Sequence, residues 1–141
     1  MSKGGLQIYC DGGARGNPGP AASAFVVEKA GERVFKDSKF LGENTNNFAE
    51  YTAVIMALEW LVQSRDKIKE DEVEFFLDSQ LVASQLSGRY KIKSKTLKPL
   101  AIKVKEMERE SGKKIKYNFV RRKNNKVSDA LVNDVLDENL Q

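Results

Sequence analysis

Three strand-like segments follow one another before any helical pattern begins, and after that strand and helix patterns alternate. Leu6, Ile8 and Cys10 alternate with Gln7 and Tyr9, so the first strand is expected to end at Asp11, where a glycine-rich loop from Gly12 to Gly19 begins. Ala22 to Glu28 and Glu32 to Phe40 read as two more strands turning around Ala30 and Gly31, an antiparallel meander. A helical period then runs from Phe48 to Gln63, with Thr45, Asn46 and Asn47 as capping side chains just before it. A short strand (Val73 to Leu77), a short helix (Leu81 to Leu86, stopped by Gly88) and a second long helix (Thr96 to Glu110, ended by Gly112) come next. The chain closes with a strand from Ile115 to Val120 and a helix from Val127 to Asn139. Strands first and alternation later predict an α/β architecture, one mixed sheet with helices covering its faces. The 141 residues suit a single domain, and no repeat, low-complexity tract or dividing linker interrupts them.

The lone cysteine, Cys10, has no partner within the chain and lies in an apolar stretch, where it reads as a small core residue. That usage suits a reducing compartment. No basic N-terminal segment with an apolar run resembles a signal peptide, and no run reaches the roughly 20 residues of a membrane span, so a soluble, cytoplasmic protein is expected, with no membrane partner. Lys and Arg number 24 against 20 Asp and Glu, a net charge of +4. The positive charge is clustered: Arg89, Lys91, Lys93, Lys95, Lys98, Lys103 and Lys105 run without an acid between them, and Arg121, Arg122 and Lys123 form a second group. Such patches suit a surface that follows a phosphate backbone, and equally a solvated helix face.

Among the acids, position separates a few from the rest. Glu50 shares a helix face with Ala53, Val54, Ala57 and Leu61, while Thr52, Glu59 and Gln63 lie opposite. A carboxylate on an apolar face costs several kcal/mol, on the order of a buried unpaired ion, unless its charge is compensated; a buried ion pair or a functional site would both do so. Asp11 and Asp78 each follow an apolar strand, where sheets present functional groups and where turn and cap residues also sit. Asp129 lies in the first turn of the last helix, in line with Val132, Leu136 and Leu140; the helix dipole alone would favour an acid there. Asp134, Asp137 and Glu138 turn away and read as solvated. If the four converged, a hard divalent cation would have to offset their repulsion. With no histidine and no cysteine pair, oxygen ligands point to Mg²⁺, with Mn²⁺ as substitute, rather than zinc. Two such ions about 4 Å apart suit phosphodiester hydrolysis.

Four segments carry a family resemblance. Ile8-Tyr9-Cys10-Asp11-Gly12-Gly13-Ala14-Arg15-Gly16-Asn17-Pro18-Gly19-Pro20 resembles the opening strand and loop of type 1 ribonuclease H. Thr45-Asn46-Asn47 with Ala49-Glu50-Tyr51, Asp78-Ser79-Gln80-Leu81-Val82, and Asn125 to Asp129 with Ala130-Leu131 resemble its remaining motifs, in the same order and across nearly the whole chain. The resemblance implies a ribonuclease H-like α/β fold, a five-stranded mixed sheet flanked by helices, with residues 1–141 forming a single ribonuclease H domain. It implies an endoribonuclease that cuts the RNA strand of RNA–DNA hybrids with two Mg²⁺ ions, leaving 3′-hydroxyl and 5′-phosphate ends. Asp11, Glu50, Asp78 and Asp129 would be catalytic metal ligands, Asp11 bridging both ions and Glu50 also facing the RNA at the scissile position. Gly12, Gly13 and Ser79 would contact substrate, Asn17, Asn46, Asn47 and Gln80 would do so near the minor groove, where 2′-hydroxyls mark RNA, and Thr45 would face a DNA-strand phosphate. Turn formation or capping is the other use of such polar residues. The glycine-rich segment lacks the Gly-Lys-Ser/Thr ending of a P-loop and the Gly-x-Gly-x-x-Gly spacing of a dinucleotide site.

Two departures qualify the pattern. Many members carry a histidine before the last acid; here Arg122 stands seven residues before Asp129, as in a histidine-lacking subgroup that includes archaeal members. Arginine keeps its charge and cannot shuttle protons, so Arg122 would hold phosphate, with Arg121 the competitor and a plain solvated basic loop the alternative. Some members also insert a basic helix and loop for hybrid binding; only Gly88 to Ser94 stands there, so the handle is reduced. A monomer is expected. A non-catalytic binding module on the same fold, or a relative acting on double-stranded RNA, are the rival readings.

Overall fold

The computed structural model describes residues 5–140. Strands β1 (Leu6–Ala14), β2 (Gly19–Lys29) and β3 (Glu32–Asn44) precede helix α1 (Asn46–Ser64). After these come β4 (Glu72–Leu77), α2 (Gln80–Leu86), α3 (Leu97–Ser111), β5 (Lys114–Phe119), a 3₁₀ turn at Arg122–Asn124, and α4 (Lys126–Asn139). The strands form one sheet in the order β3-β2-β1-β4-β5. β1, β2 and β3 pair antiparallel, as a meander must, while β1–β4 and β4–β5 are parallel and need the helical crossovers between them. The expected mixed sheet and element order are therefore present.

One boundary differs in a way that matters. β1 does not stop at Asp11: Asp11, Gly12, Gly13 and Ala14 continue pairing with Ala24, Ser23, Ala22 and Ala21 of β2. The glycines that read as loop are strand, and the connection shrinks to residues 15–18. The parallel ladder to β4, by contrast, ends at Cys10 opposite Leu77. Asp11 thus stands at a fork, still paired on one side and free on the other, with Asp78 next after Leu77.

The core is split by the sheet. On one face Leu6, Ile8, Cys10, Phe25, Val27, Val73, Phe75, Leu77 and Tyr117 pack against α1, α2 and α3. On the other, Ala22 and Ala24 with Val132 and Leu136 of α4 form a small second cluster, with the partly buried Leu131 and Val135 packed against it. Cys10 is fully buried, as a core residue should be. Leu140, read as extending the inward line of α4, lies past its end and is exposed. Among the described residues no helix is long and apolar enough to cross a membrane.

Candidate active site

Helix α1 is fastened to the sheet at its first turn. Thr45 caps it, its Oγ1 accepting from the Phe48 amide at 3.1 Å. Asn46 Oδ1 accepts from the Ala14 amide at 2.8 Å, and the Asn46 amide donates to Asn17 Oδ1 at 2.9 Å, so both side chains stitch the helix start to the end of β1. The buried Ser23 hydroxyl donates to the Ala49 carbonyl at 2.7 Å. These bonds draw α1 so close to β1 that a Cβ on Gly12 would overlap the Ala49 carbonyl and the Glu50 nitrogen. Glycine is required there by approach, not by turn geometry.

That approach places the acids. By strand alternation Asp11 shares the side of Tyr9, which faces Lys123 to Val127 beside α4, whereas Glu50 comes from α1 on the opposite side. Gly12 offers no side chain between them, and its amide donates to Glu50 Oε1 at 3.1 Å. Asp78 follows directly on β4. One carboxylate oxygen from each of Asp11, Glu50 and Asp78 lies within 4.8 Å of the other two. Asp129 is outside that tight group but lines the same cleft of about 450 Å³, together with Gly12, Gly13, Asn46, Asn47, Ser79 and Arg122. Asn17, Thr45 and Gln80 are not among its lining residues.

Burial and mutual repulsion act on the acids in one direction. The Asp11 carboxyl is pushed up to about 10, mainly by desolvation and then by the charges of Glu50, Asp78 and Asp129. Glu50 is raised to about 8 by desolvation and by Asp78, opposed by the Gly12 amide. Asp78 is raised by burial against the pull of the Arg122 guanidinium. Two buried oxygens, Glu50 Oε2 and Asp78 Oδ2, have no hydrogen-bond partner. Orphaned buried carboxylate oxygens are costly, and three hard oxygen donors at this spacing fit a divalent cation that would complete them.

Three further residues around the cleft carry no signal in the sequence. Asn125 lies behind the cleft rather than in its lining; it is buried, and its Nδ2 donates to the Cys10 carbonyl at 2.9 Å while its Oδ1 accepts from Ser128 at 2.6 Å. It thereby pins the start of α4, and with it Asp129, to the end of the β1–β4 ladder. Arg15 and Asn133 line the cleft; Arg15 pairs with Asp137 at 2.7 Å, so Asp137 is exposed but not free. Asn125 lies in the segment Asn125 to Asp129 that carries the family resemblance, but nothing in the sequence shows that its partner is a carbonyl 115 positions away.

Comparison with known proteins agrees with this geometry. A family model described as "Reverse transcriptase-like" matches residues 9–135. A bifunctional protein of Mycobacterium tuberculosis is 39% identical over 132 residues, 92% of this chain but 35% of the relative. Ribonuclease HI of Halobacterium salinarum is 36% identical over 136 residues, covering 96% of this chain and 66% of the relative. The chain therefore spans about a third of the mycobacterial relative's length and just under two-thirds of the archaeal one's. Among solved structures, LC11-RNase H1, in complex with an RNA/DNA hybrid, superposes with a TM-score of 0.91 at 40% identity, covering 96% of this chain and 99% of that one. RNase H1 from the halophilic archaeon Halobacterium salinarum superposes with a TM-score of 0.84 at 36% identity, covering 96% and 99%. Since the match runs through both the sheet that sets the carboxylates and the segments that carry them, this chain belongs to the type 1 ribonuclease H family.

Proposed function

We propose that residues 1–141 act as a single ribonuclease H domain, a divalent-metal-dependent endoribonuclease hydrolysing the RNA strand of RNA–DNA hybrids. The observation that carries this reading is the trio Asp11, Glu50 and Asp78, within 4.8 Å of one another and with two buried oxygens left unpartnered. Asp11, Glu50 and Asp78 would hold the cations, and Asp129, across the same cleft, would complete the set. Mg²⁺ ions, with Mn²⁺ as substitute, would supply an activated water and offset charge on the leaving oxygen, giving 3′-hydroxyl and 5′-phosphate products.

The remaining roles follow from which hydrogen-bonding atoms the fold leaves free. Asn17 and Asn46 spend their amide oxygens on backbone N–H groups, so their amide NH₂ groups remain as donors for a substrate 2′-hydroxyl or base edge. Thr45 accepts through Oγ1 and Ser79 caps α2 through Oγ, each keeping a hydroxyl proton to donate to phosphate. Gly13, whose Cβ position is nearly open, would let a nucleic-acid backbone approach the carboxylates, Gly12 and Asn47 line the cleft beside it as further substrate contacts, and exposed Gln80 follows at the head of α2. Arg122, exposed at the rim, would hold a phosphate near the cut. The chain would work as a monomer in the cytoplasm.

The test is incubation of labelled RNA–DNA hybrid, double-stranded RNA and double-stranded DNA with Mg²⁺, Mn²⁺ or EDTA. Hybrid alone should be nicked, only with metal, and with 5′-phosphate ends. Binding without nicking in either metal would leave a non-catalytic module, and preferential cutting of double-stranded RNA would move the substrate class. Asp11→Asn should slow hybrid cleavage by at least about 100-fold while retaining hybrid binding, because it removes a metal ligand and keeps the side-chain shape. Comparable turnover would refute the metal-site assignment.

A further inference from the structure

Arg122 opens the 3₁₀ turn Arg122–Asn124, and the backbone just after it is tied down by the bond from Asn125 to the Cys10 carbonyl. The side chain is not tied down: it is 79% exposed, yet its Nε reaches Asp78 Oδ2 at 3.8 Å. The distance is that of an ion pair beyond hydrogen-bond length, and the oxygen it faces is the one that is buried and otherwise unpartnered. Among the described residues, Arg122 is the one cation in ion-pair contact with Asp11, Glu50 or Asp78. Its guanidinium does not lose its proton at working pH, so it cannot step aside by neutralising. A divalent ion bound to Asp78 at roughly 2 Å would meet that positive charge at close range.

We infer that Arg122 is an internal counter-ion of the carboxylate cluster, competing with the divalent ion for Asp78 in the free protein. A substrate phosphate that draws the guanidinium away would then also clear Asp78 for the ion. Ion and hybrid binding would be coupled through one side chain. The inference rests on the proposed reading of the cluster as a divalent-metal site. It differs from simple phosphate holding, which has no effect in the free protein, and from a structural role, whose loss would weaken metal binding. The long contact and high exposure make the pair easy to break, so its effect should be modest.

The test titrates Mn²⁺ into the full chain without nucleic acid, by calorimetry or by electron paramagnetic resonance of the free ion, at low ionic strength. Arg122→Ala and Arg122→Gln should bind Mn²⁺ about two- to fivefold more tightly than wild type, the gap narrowing with added salt, and Arg122→Lys should fall between. Arg121→Ala is the control for the general field of the basic loop. Equal or weaker binding by the Arg122 variants overturns the inference, and so does equal tightening by Arg121→Ala. If neither wild type nor variants bind the ion, the metal-site reading itself fails; if all bind equally, only the counter-ion role does. Melting curves confirm that both neutral variants fold, and either one suffices.

Discussion

A methyl group at position 12 would overlap the backbone of α1 where Ala49 meets Glu50. Gly12→Ala should therefore push α1 off β1, lowering stability by about 3 kcal/mol or more and displacing Glu50 from the other carboxylates. Gly13 next door has only Asn46 Oδ1 at 3.9 Å from its virtual Cβ, so Gly13→Ala should leave the denaturant midpoint nearly unchanged. Comparing the two in urea unfolding checks whether close approach, rather than glycine content, shapes this segment. The contrast shows how far the site was legible in sequence. Glu50 could be picked out because an acid on the face of Ala53, Val54 and Leu61 is anomalous by itself. Asp11 is legible only in part: glycines usually mark loops, so the sequence ends the strand there, whereas Gly12 and Gly13 extend it. Asn125 was not legible as a positioning residue, since its bond to Cys10 exists only once the two ends of the chain meet.

Elements supply the next level of control, chiefly through their starts. α1 begins with Thr45 and α2 with Ser79, each hydroxyl accepting from an amide three residues on, and each helix start carries residues of the cleft. Thr45→Ala should cost about 1 kcal/mol in chemical unfolding by removing the cap. If Thr45 also holds a DNA-strand phosphate, the same variant should weaken hybrid binding, whereas pure capping would leave affinity unchanged once stability is allowed for. The order of elements was readable because apolar period changes between strand and helix leave a local trace. The 3₁₀ turn carrying Arg122 was not, because three polar residues have no period to detect. In the basic connection, Lys105 proves to be committed to the fold: its Nζ donates to the Leu86 carbonyl at 3.0 Å and sits over the Tyr117 ring. Arg89, Lys91, Lys93, Lys95, Lys98 and Lys103 remain exposed. If these lysines and arginines grip the backbone of a hybrid, affinity should fall linearly on a log–log plot against salt, and charge-neutralising changes there should flatten the slope.

For the whole molecule, the carboxylate cluster sets a dependence on pH. Without metal, burial and the neighbouring charges push the Asp11 and Glu50 carboxyls up to about 10 and about 8 in the folded protein, while in the unfolded chain they ionise near their ordinary values of 3.8 and 4.5. Between those limits the folded state binds more protons, so their contribution to stability is whole below about pH 4 and is lost as pH rises through the folded values. Metal-free protein should thus melt at a lower temperature at pH 8 than at pH 5, as far as these two groups decide it. Added Mg²⁺ should raise the melting temperature more at pH 8, where fewer protons must be displaced. Asp11→Asn should flatten the metal-free slope. A slope unchanged in that variant would show that other groups set it.

The two cores on either side of the sheet are unequal, and the four acids are divided between them. Asp11 and Glu50 sit on elements anchored in the large cluster and Asp78 directly follows one, but Asp129 rides on α4, whose apolar hold over Ala22 and Ala24 is chiefly Val132 and Leu136, beside the Asn125 bond at its start. Among the long helices, amide hydrogen exchange should therefore be faster in α4 than in α1, and slow in β1 and β4, because local opening follows the apolar contact that must be broken. On gentle warming α4 would lift while the sheet stays whole, taking one carboxylate with it. Cleavage would then fade reversibly several degrees below the melting point, set by the hold of a single helix rather than by the collapse of the fold.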